Sequence, residues 1–105
     1  MHKDLNPTEW KEAIASNDNC QLLDVRTPAE WAEGIQQDAS MIDYFESEKL
    51  LAFIQELDQS KTYFVYCKAG GRSMQVCQVM QQMGFLHTVN LLGGMSDWNG
   101  EVVHP

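Results

Sequence analysis

Basic residues are scarce in this chain of 105, where seven Lys and Arg stand against fifteen Asp and Glu for a formal charge of −8. Nucleic acid and anionic membrane surfaces both require a basic footprint, so the balance argues against either as a partner. Long apolar runs are also missing, and none reaches half the length of a membrane span. The first twenty residues mix both charge signs and contain no apolar signal-peptide core, which leads us to expect a soluble, cytoplasmic protein. Cysteine is limited to Cys20, Cys67 and Cys77, with no CxxC pair, and His2, His87 and His104 have no metal-ligand spacing with them. A structural zinc site or a disulfide framework is thereby disfavoured, and a reducing compartment is expected. Internal repeats, low-complexity tracts and linkers are absent, so one domain spanning residues 1–105 is expected. Hydrophobic content of 44% is ordinary for a globular chain and is enough for one core without metal or disulfide staples.

What is present alternates between two periodicities. Asn6-Pro7-Thr8-Glu9 reads as a capping box with Pro at the first helical position, followed by a stripe of Trp10, Ala13 and Ile14. Residues 20–25 (CQLLDV) form a short apolar run, predicted as a strand. Thr27-Pro28-Ala29-Glu30 repeats the cap logic and starts a short helix through Glu33 that Gly34 ends. Ala39–Ile42 is expected to be a second strand. Ser47 is expected to cap a helix with Leu50, Leu51, Ile54 and Leu57 on one face. Thr62–Tyr66 (TYFVY) is β-branched and aromatic and is predicted as a buried strand. A helix beginning at Arg72 or Ser73 carries Val76, Val79, Met80 and Met83 and stops at Gly84. Thr88–Leu92 is the last predicted strand, ahead of Gly93-Gly94 and a turn around Trp98. Such alternation implies an α/β fold, with a central, mostly parallel β-sheet flanked by helices on both faces. In such sheets the binding crevice lies beyond the carboxyl ends of the strands.

The segment just after TYFVY is Cys67-Lys68-Ala69-Gly70-Gly71-Arg72-Ser73. A cysteine leaves a buried strand, two glycines allow a sharp turn, and a helix begins. Backbone N–H groups turned inward there would form an anion-binding concavity above a helix N-terminus. A thiol held in it is stabilised as thiolate, which is the nucleophilic form. Lys68 and Arg72 add two of the seven basic residues, and Arg26 is the only other arginine. A cysteine at a strand end can equally be a small buried hydrophobe. The order of strand, cysteine, glycine-rich loop, arginine and helix is what favours the reactive reading. Cys77, in the apolar sector of the following helix, is expected to be core, and Cys20 to be packing. Trp10, Trp31 and Trp98 are expected to anchor helices, Met74, Met80 and Met83 to fill the core, and Glu30 and Glu33 to lie on a solvated face or in caps.

Three stretches together resemble the rhodanese-like family, specifically its small single-domain members. They are LLDVRTPAEWAEG at 22–34, VYCKAGGRS at 65–73, and the tail from Met83 to Trp98 with GF, V-N-L and GG-x-x-x-W. The resemblance implies a rhodanese-like sheet flanked by helices, and sulfur transfer as the chemistry. It implies Cys67 as the persulfide-forming residue, with Lys68, Ala69, Gly70, Gly71 and Arg72 cradling the transferred sulfur, and Asp24 and Arg26 in a structural role. After Gly34 the family commonly reads GHIxGA, whereas Ile35-Gln36-Gln37-Asp38-Ala39 lacks the His and the second Gly. Arg72 stands five positions after Cys67, a C-x4-R spacing. Cysteine phosphatases and arsenate reductases need C-x5-R to encircle a tetrahedral oxyanion, and position 73 is Ser, so both rank below sulfur transfer. The reading is therefore a thiosulfate sulfurtransferase. Its donor would be a small thiosulfate-like anion steered by Lys68 and Arg72, and its acceptor cyanide or a thiol, with no metal or other cofactor. A rhodanese-like module relaying sulfur to, or docking on, a partner protein is the alternative.

Overall fold

The computed structural model describes residues 1–105. Five strands form one sheet: β1 (His2–Leu5), β2 (Cys20–Asp24), β3 (Ser40–Met41), β4 (Thr62–Tyr66) and β5 (His87–Leu91). Every strand pairing is parallel, in the order β1-β5-β4-β2-β3. Between the strands run α1 (Pro7–Ala15), α2 (Pro28–Trp31), α3 (Ser47–Gln55) and α4 (Gly71–Gln82), and a 3₁₀ turn covers Gly94–Ser96. The expected α/β architecture with helices on both faces is what the chain adopts. No helix is long and apolar enough to cross a membrane.

β4 lies at the centre and is apolar on both sides because helices cover both faces. Its alternating side chains divide the core. Tyr63, Val65 and Cys67 join Leu23, Val25, Leu50, Ile54, Val76, Cys77 and Met80 on the α3/α4 face. Phe64 and Tyr66 join Trp10, Val89 and Leu91 on the α1 face. Trp10 is fully buried and meets Phe64 edge-on with centroids 5.3 Å apart. Trp98 and half-buried Cys20 pack against the same cluster, as expected of an anchor and a packing thiol.

The capping box at Asn6 forms in both directions: the Glu9 N–H donates to the Asn6 side chain, and the Asn6 N–H donates to the Glu9 carboxylate. Elsewhere the boundaries moved. Glu46, not Ser47, is the N-cap of α3, and Ser47 is its first helical residue. Helix α4 starts at Gly71, one residue earlier than the earliest predicted start. β2, β3 and β5 are Cys20–Asp24, Ser40–Met41 and His87–Leu91 instead of 20–25, 39–42 and 88–92. Leu51 and Val79, placed on inward faces by periodicity, are exposed. β1 was not anticipated, since His2-Lys3-Asp4-Leu5 has no strand composition. It forms because β5 offers it an open parallel edge, and its charged side chains then protect that edge from further pairing.

The stretch after Gly34 departs from the family pattern, and the structure accommodates it. Gln36 is buried, takes the Trp10 indole N–H on its Oε1 at 2.9 Å, and donates its backbone N–H to the Tyr66 hydroxyl at 3.0 Å. Asp38, where the pattern leads one to expect glycine, has φ of +66° and is the only non-glycine residue in that region. Short acids tolerate the left-handed conformation, whereas a β-branched side chain does not. Asp38→Val should therefore lose about 1–2 kcal/mol of stability in denaturant melts, while Asp38→Gly should be neutral or stabilising.

Candidate active site

Cys67 leaves the carboxyl end of the central strand and is buried to 1% exposure on the floor of the loop. Gly70 occupies the left-handed region, with φ of +105°. That turn brings the Gly70 N–H to 3.1 Å from the Cys67 Sγ, the Ser73 N–H to 3.4 Å and the Ser73 hydroxyl to 3.3 Å. Burial alone would push this thiol up. The donors from Ser73, Gly70 and Ala69 outweigh it and hold Cys67 below the ordinary cysteine value. The concavity predicted from the glycines exists, but one glycine makes it. Gly71 has ordinary helical geometry, and a Cβ there would meet open space.

A brace from far along the chain supports the loop. The backbone N–H groups of Met95 and Ser96 donate to the carbonyls of Cys67 and Lys68, both at 2.9 Å. Gly94 makes this approach possible, since a Cβ on it would lie 2.5 Å from the Cys67 carbonyl oxygen. The Gly-Gly pair was legible as a turn in the sequence, whereas its contact with the Cys67 loop was not.

The two arginines are both committed to carboxylates. Arg26 and Asp24 form a buried pair at 2.7 Å. Arg26 also donates to the carbonyls of Gly34 at 2.7 Å and Glu30 at 3.3 Å, and Asp24 accepts the Trp31 indole N–H at 3.1 Å. This pair holds α2 and the turn after it. Arg72 donates both terminal nitrogens to the two oxygens of Glu30, each at 2.9 Å. The fork of donors expected to meet an anionic donor pairs with Glu30 in this structure. Glu30 is likewise more than a solvated face: it caps Thr27 through backbone and hydroxyl, and these bonds with Arg72 lower its carboxyl to about 2. Lys68 is exposed and enters none of the ion pairs.

The remaining thiols differ in character. Cys77 is fully buried, and burial pushes it up to about 12. Cys20 is also raised, by burial and by nearby Asp18. An apolar groove of about 320 Å³ between α3 and α4, with Phe45 and Leu51 on its rim, adjoins the site where the Phe45 ring stands 6.0 Å from the Arg72 guanidinium. A second cavity, about 680 Å³, lies at the other end of the sheet, by Thr62 and His87, and includes no residue of the Cys67 loop.

The family model for the rhodanese-like domain matches residues 6–101. A Bacillus subtilis protein, YtwF, named as a candidate sulfurtransferase, is 36% identical over 99 residues, covering 94% of this chain and 92% of its own. A sulfurtransferase of Allochromatium vinosum is 29% identical over 98 residues, covering 93% and 89%. Among solved structures, a rhodanese-like domain protein from Staphylococcus aureus superposes with a TM-score of 0.84 at 26% identity, covering 98% of each chain.

Two outcomes follow from the geometry. Gly70→Ala forces a side chain into the left-handed region and should slow alkylation of Cys67 by iodoacetamide at neutral pH at least tenfold. Gly71→Ala should leave that rate unchanged and stabilise α4 by about 0.5–1 kcal/mol. The Glu30 carboxyl is depressed in the folded state, so its pairing stabilises the protein above the ordinary carboxylate value of 4.5 and fades as pH falls toward about 2. Glu30→Gln should lose about 1–2 kcal/mol at pH 7, and the gap to the parent should close between pH 4.5 and 2 in urea melts.

Proposed function

The chain belongs to the rhodanese-like family, and we propose that it acts as a sulfurtransferase through a persulfide on Cys67. One observation carries this reading. Of the three thiols only Cys67 is held below the ordinary cysteine value, and it is so by donors aimed at its sulfur from a loop at the carboxyl edge of the sheet. A thiolate is the nucleophile sulfur transfer requires.

The reaction has two steps. The Cys67 thiolate attacks the outer sulfur of thiosulfate, forming a sulfur–sulfur bond while the donor's own sulfur–sulfur bond breaks and its electron pair leaves with sulfite. Cyanide or a thiolate then attacks the outer sulfur of the persulfide, and thiocyanate or a new persulfide departs as the Cys67 thiolate is regenerated. No base is needed at either step when the loop already favours the thiolate. The loop N–H groups would hold the negative terminal sulfur of the intermediate. Lys68, exposed and without an ion-pair partner, is the cation that meets the donor, and Arg72 keeps the loop in place through Glu30. The C-x4-R spacing supports a sulfur over a phosphoryl substrate for the reason stated above, and thiosulfate is the donor the acidic chain must admit against its own charge of −8.

Thiosulfate should load one reductant-labile sulfur atom on Cys67, read by intact mass and peptide mapping. Cys67→Ser should abolish loading and transfer to cyanide, whereas Cys20→Ser and Cys77→Ser should keep both within about twofold. Loss of long-range repulsion should let kcat/KM for thiosulfate hold or rise with moderate salt, because exposed charges are screened within about 10 Å at 0.1 M. Loading that maps to Cys77 would overturn the assignment.

A further inference from the structure

The pleat of β5 sends Val89 and Leu91 to the α1 face and leaves Thr88 and Asn90 on the α4 face, where both are buried. A buried amide must satisfy both of its ends. Asn90 does so with two residues far apart in sequence. Its Nδ2 donates to the Asp4 Oδ1 at 3.2 Å, Asp4 being its direct register partner on β1. Its Oδ1 accepts the Ser73 hydroxyl at 2.5 Å. A carboxylate only accepts, so Asp4 fixes which end of the amide faces it, and the acceptor end must face Ser73.

Ser73 has one hydroxyl proton and three acceptors around it. They are the Asn90 Oδ1, the Gly70 carbonyl at 3.2 Å and the Cys67 Sγ at 3.3 Å. When the sulfur of Cys67 is neutral, the hydroxyl can stay with Asn90, and a thiol proton can be donated to the Ser73 oxygen. When the sulfur is a bare thiolate, the hydroxyl turns to it and the buried Asn90 oxygen loses its partner. A buried acceptor left unpaired is destabilising, so the thiolate form carries a penalty that the neutral forms do not.

Resting on Cys67 as the nucleophile, we propose that Asn90, oriented by Asp4, is a positioning residue that competes for the Ser73 hydroxyl proton and so favours the neutral inner sulfur, thiol or persulfide, over the bare thiolate. In the persulfide the charge sits on the terminal sulfur and the inner sulfur is uncharged, so the Ser73 hydroxyl can return to Asn90. The sulfur-loaded form is thereby favoured over the empty thiolate. The charged and titratable groups around Cys67 are Arg72 and Cys77 on α4, both coupled to its charge, Lys68 beside it in the loop, Asp24 at the end of β2, and Asp4 with its neighbour His2 on β1.

The test is the pH dependence of Cys67 alkylation by iodoacetamide, followed on the Cys67 peptide by mass spectrometry. It needs no sulfur donor, so it reads the hydroxyl competition whether or not the protein transfers sulfur. Asn90→Leu and Asp4→Asn should each shift the profile to lower pH and speed alkylation at neutral pH about three- to tenfold. The first removes the acceptor, and the second lets the amide turn and donate to Ser73. Asn90→Asp should shift the profile the other way. In a Ser73→Ala background Asn90→Leu should have no further effect, and Asp4→Asn should keep only its through-space charge effect. Asp4 lies on an edge strand, so its variant remains informative where Asn90→Leu does not fold. An unchanged profile in Asp4→Asn, a shift to higher pH in Asn90→Leu, or an equal Asp4→Asn effect with and without Ser73 would overturn the proposal.

Discussion

A carboxylate and a guanidinium with almost no access to water, Asp24 and Arg26, tie the carboxyl end of β2 to everything that surrounds the site. Burying two charges is costly unless each is paired and its remaining lone pairs and protons are used. Both conditions are met: Asp24 takes the Arg26 side chain, the Arg26 backbone N–H and the Trp31 indole, and Arg26 spends its other donors on the Gly34 and Glu30 carbonyls. Removing one member would leave the other as an unpaired buried charge, worth about 3–5 kcal/mol. The consequence reaches the loop in steps. The pair seats α2, α2 presents Glu30, Glu30 grips Arg72, and Arg72 sets the first turn of α4, from which Ser73 faces the Cys67 sulfur.

In this acidic chain the stabilisation of a thiolate comes from dipoles far more than from net charge. Both arginines near the site are neutralised by their partners, and the cation left over, Lys68, is exposed. Backbone N–H groups and one hydroxyl serve instead, and they carry no counter-charge to repel or to screen. Such groups act only where the backbone holds them. Gly70 supplies the turn, and the 3₁₀ turn at Gly94–Ser96 pins the start of the loop through the carbonyls of Cys67 and Lys68. Burial raises Cys77 to about 12 and also acts on Cys67, where the donors from Ser73, Gly70 and Ala69 outweigh it. That contrast separates the loop thiol from a core thiol on the same face of the same sheet.

Much of this was legible along the chain because its signals are local. Capping at Asn6, the apolar runs at β2 and β4, and the glycine that turns the Cys67 loop each operate within a few residues, and periodicity therefore determined the alternating fold, with Cys67 just after β4. Partner choice is not local. Glu30 meets Arg72 across 42 positions, Ser73 meets Asn90 across 17, and Asn90 meets Asp4 across 86. β1 exists because β5 leaves an edge open, and nothing in His2-Lys3-Asp4-Leu5 announces that. An arginine beside a cysteine looks free in one dimension, and only the convergence of strand ends shows the carboxylate that occupies it. The sequence by itself determined which cysteine ends a strand and opens a glycine-turned loop, because both depend on short-range backbone chemistry. Only the tertiary structure decided which charges remain available and which hydroxyl proton the sulfur must share, because both depend on which distant side chains the parallel sheet brings to one face.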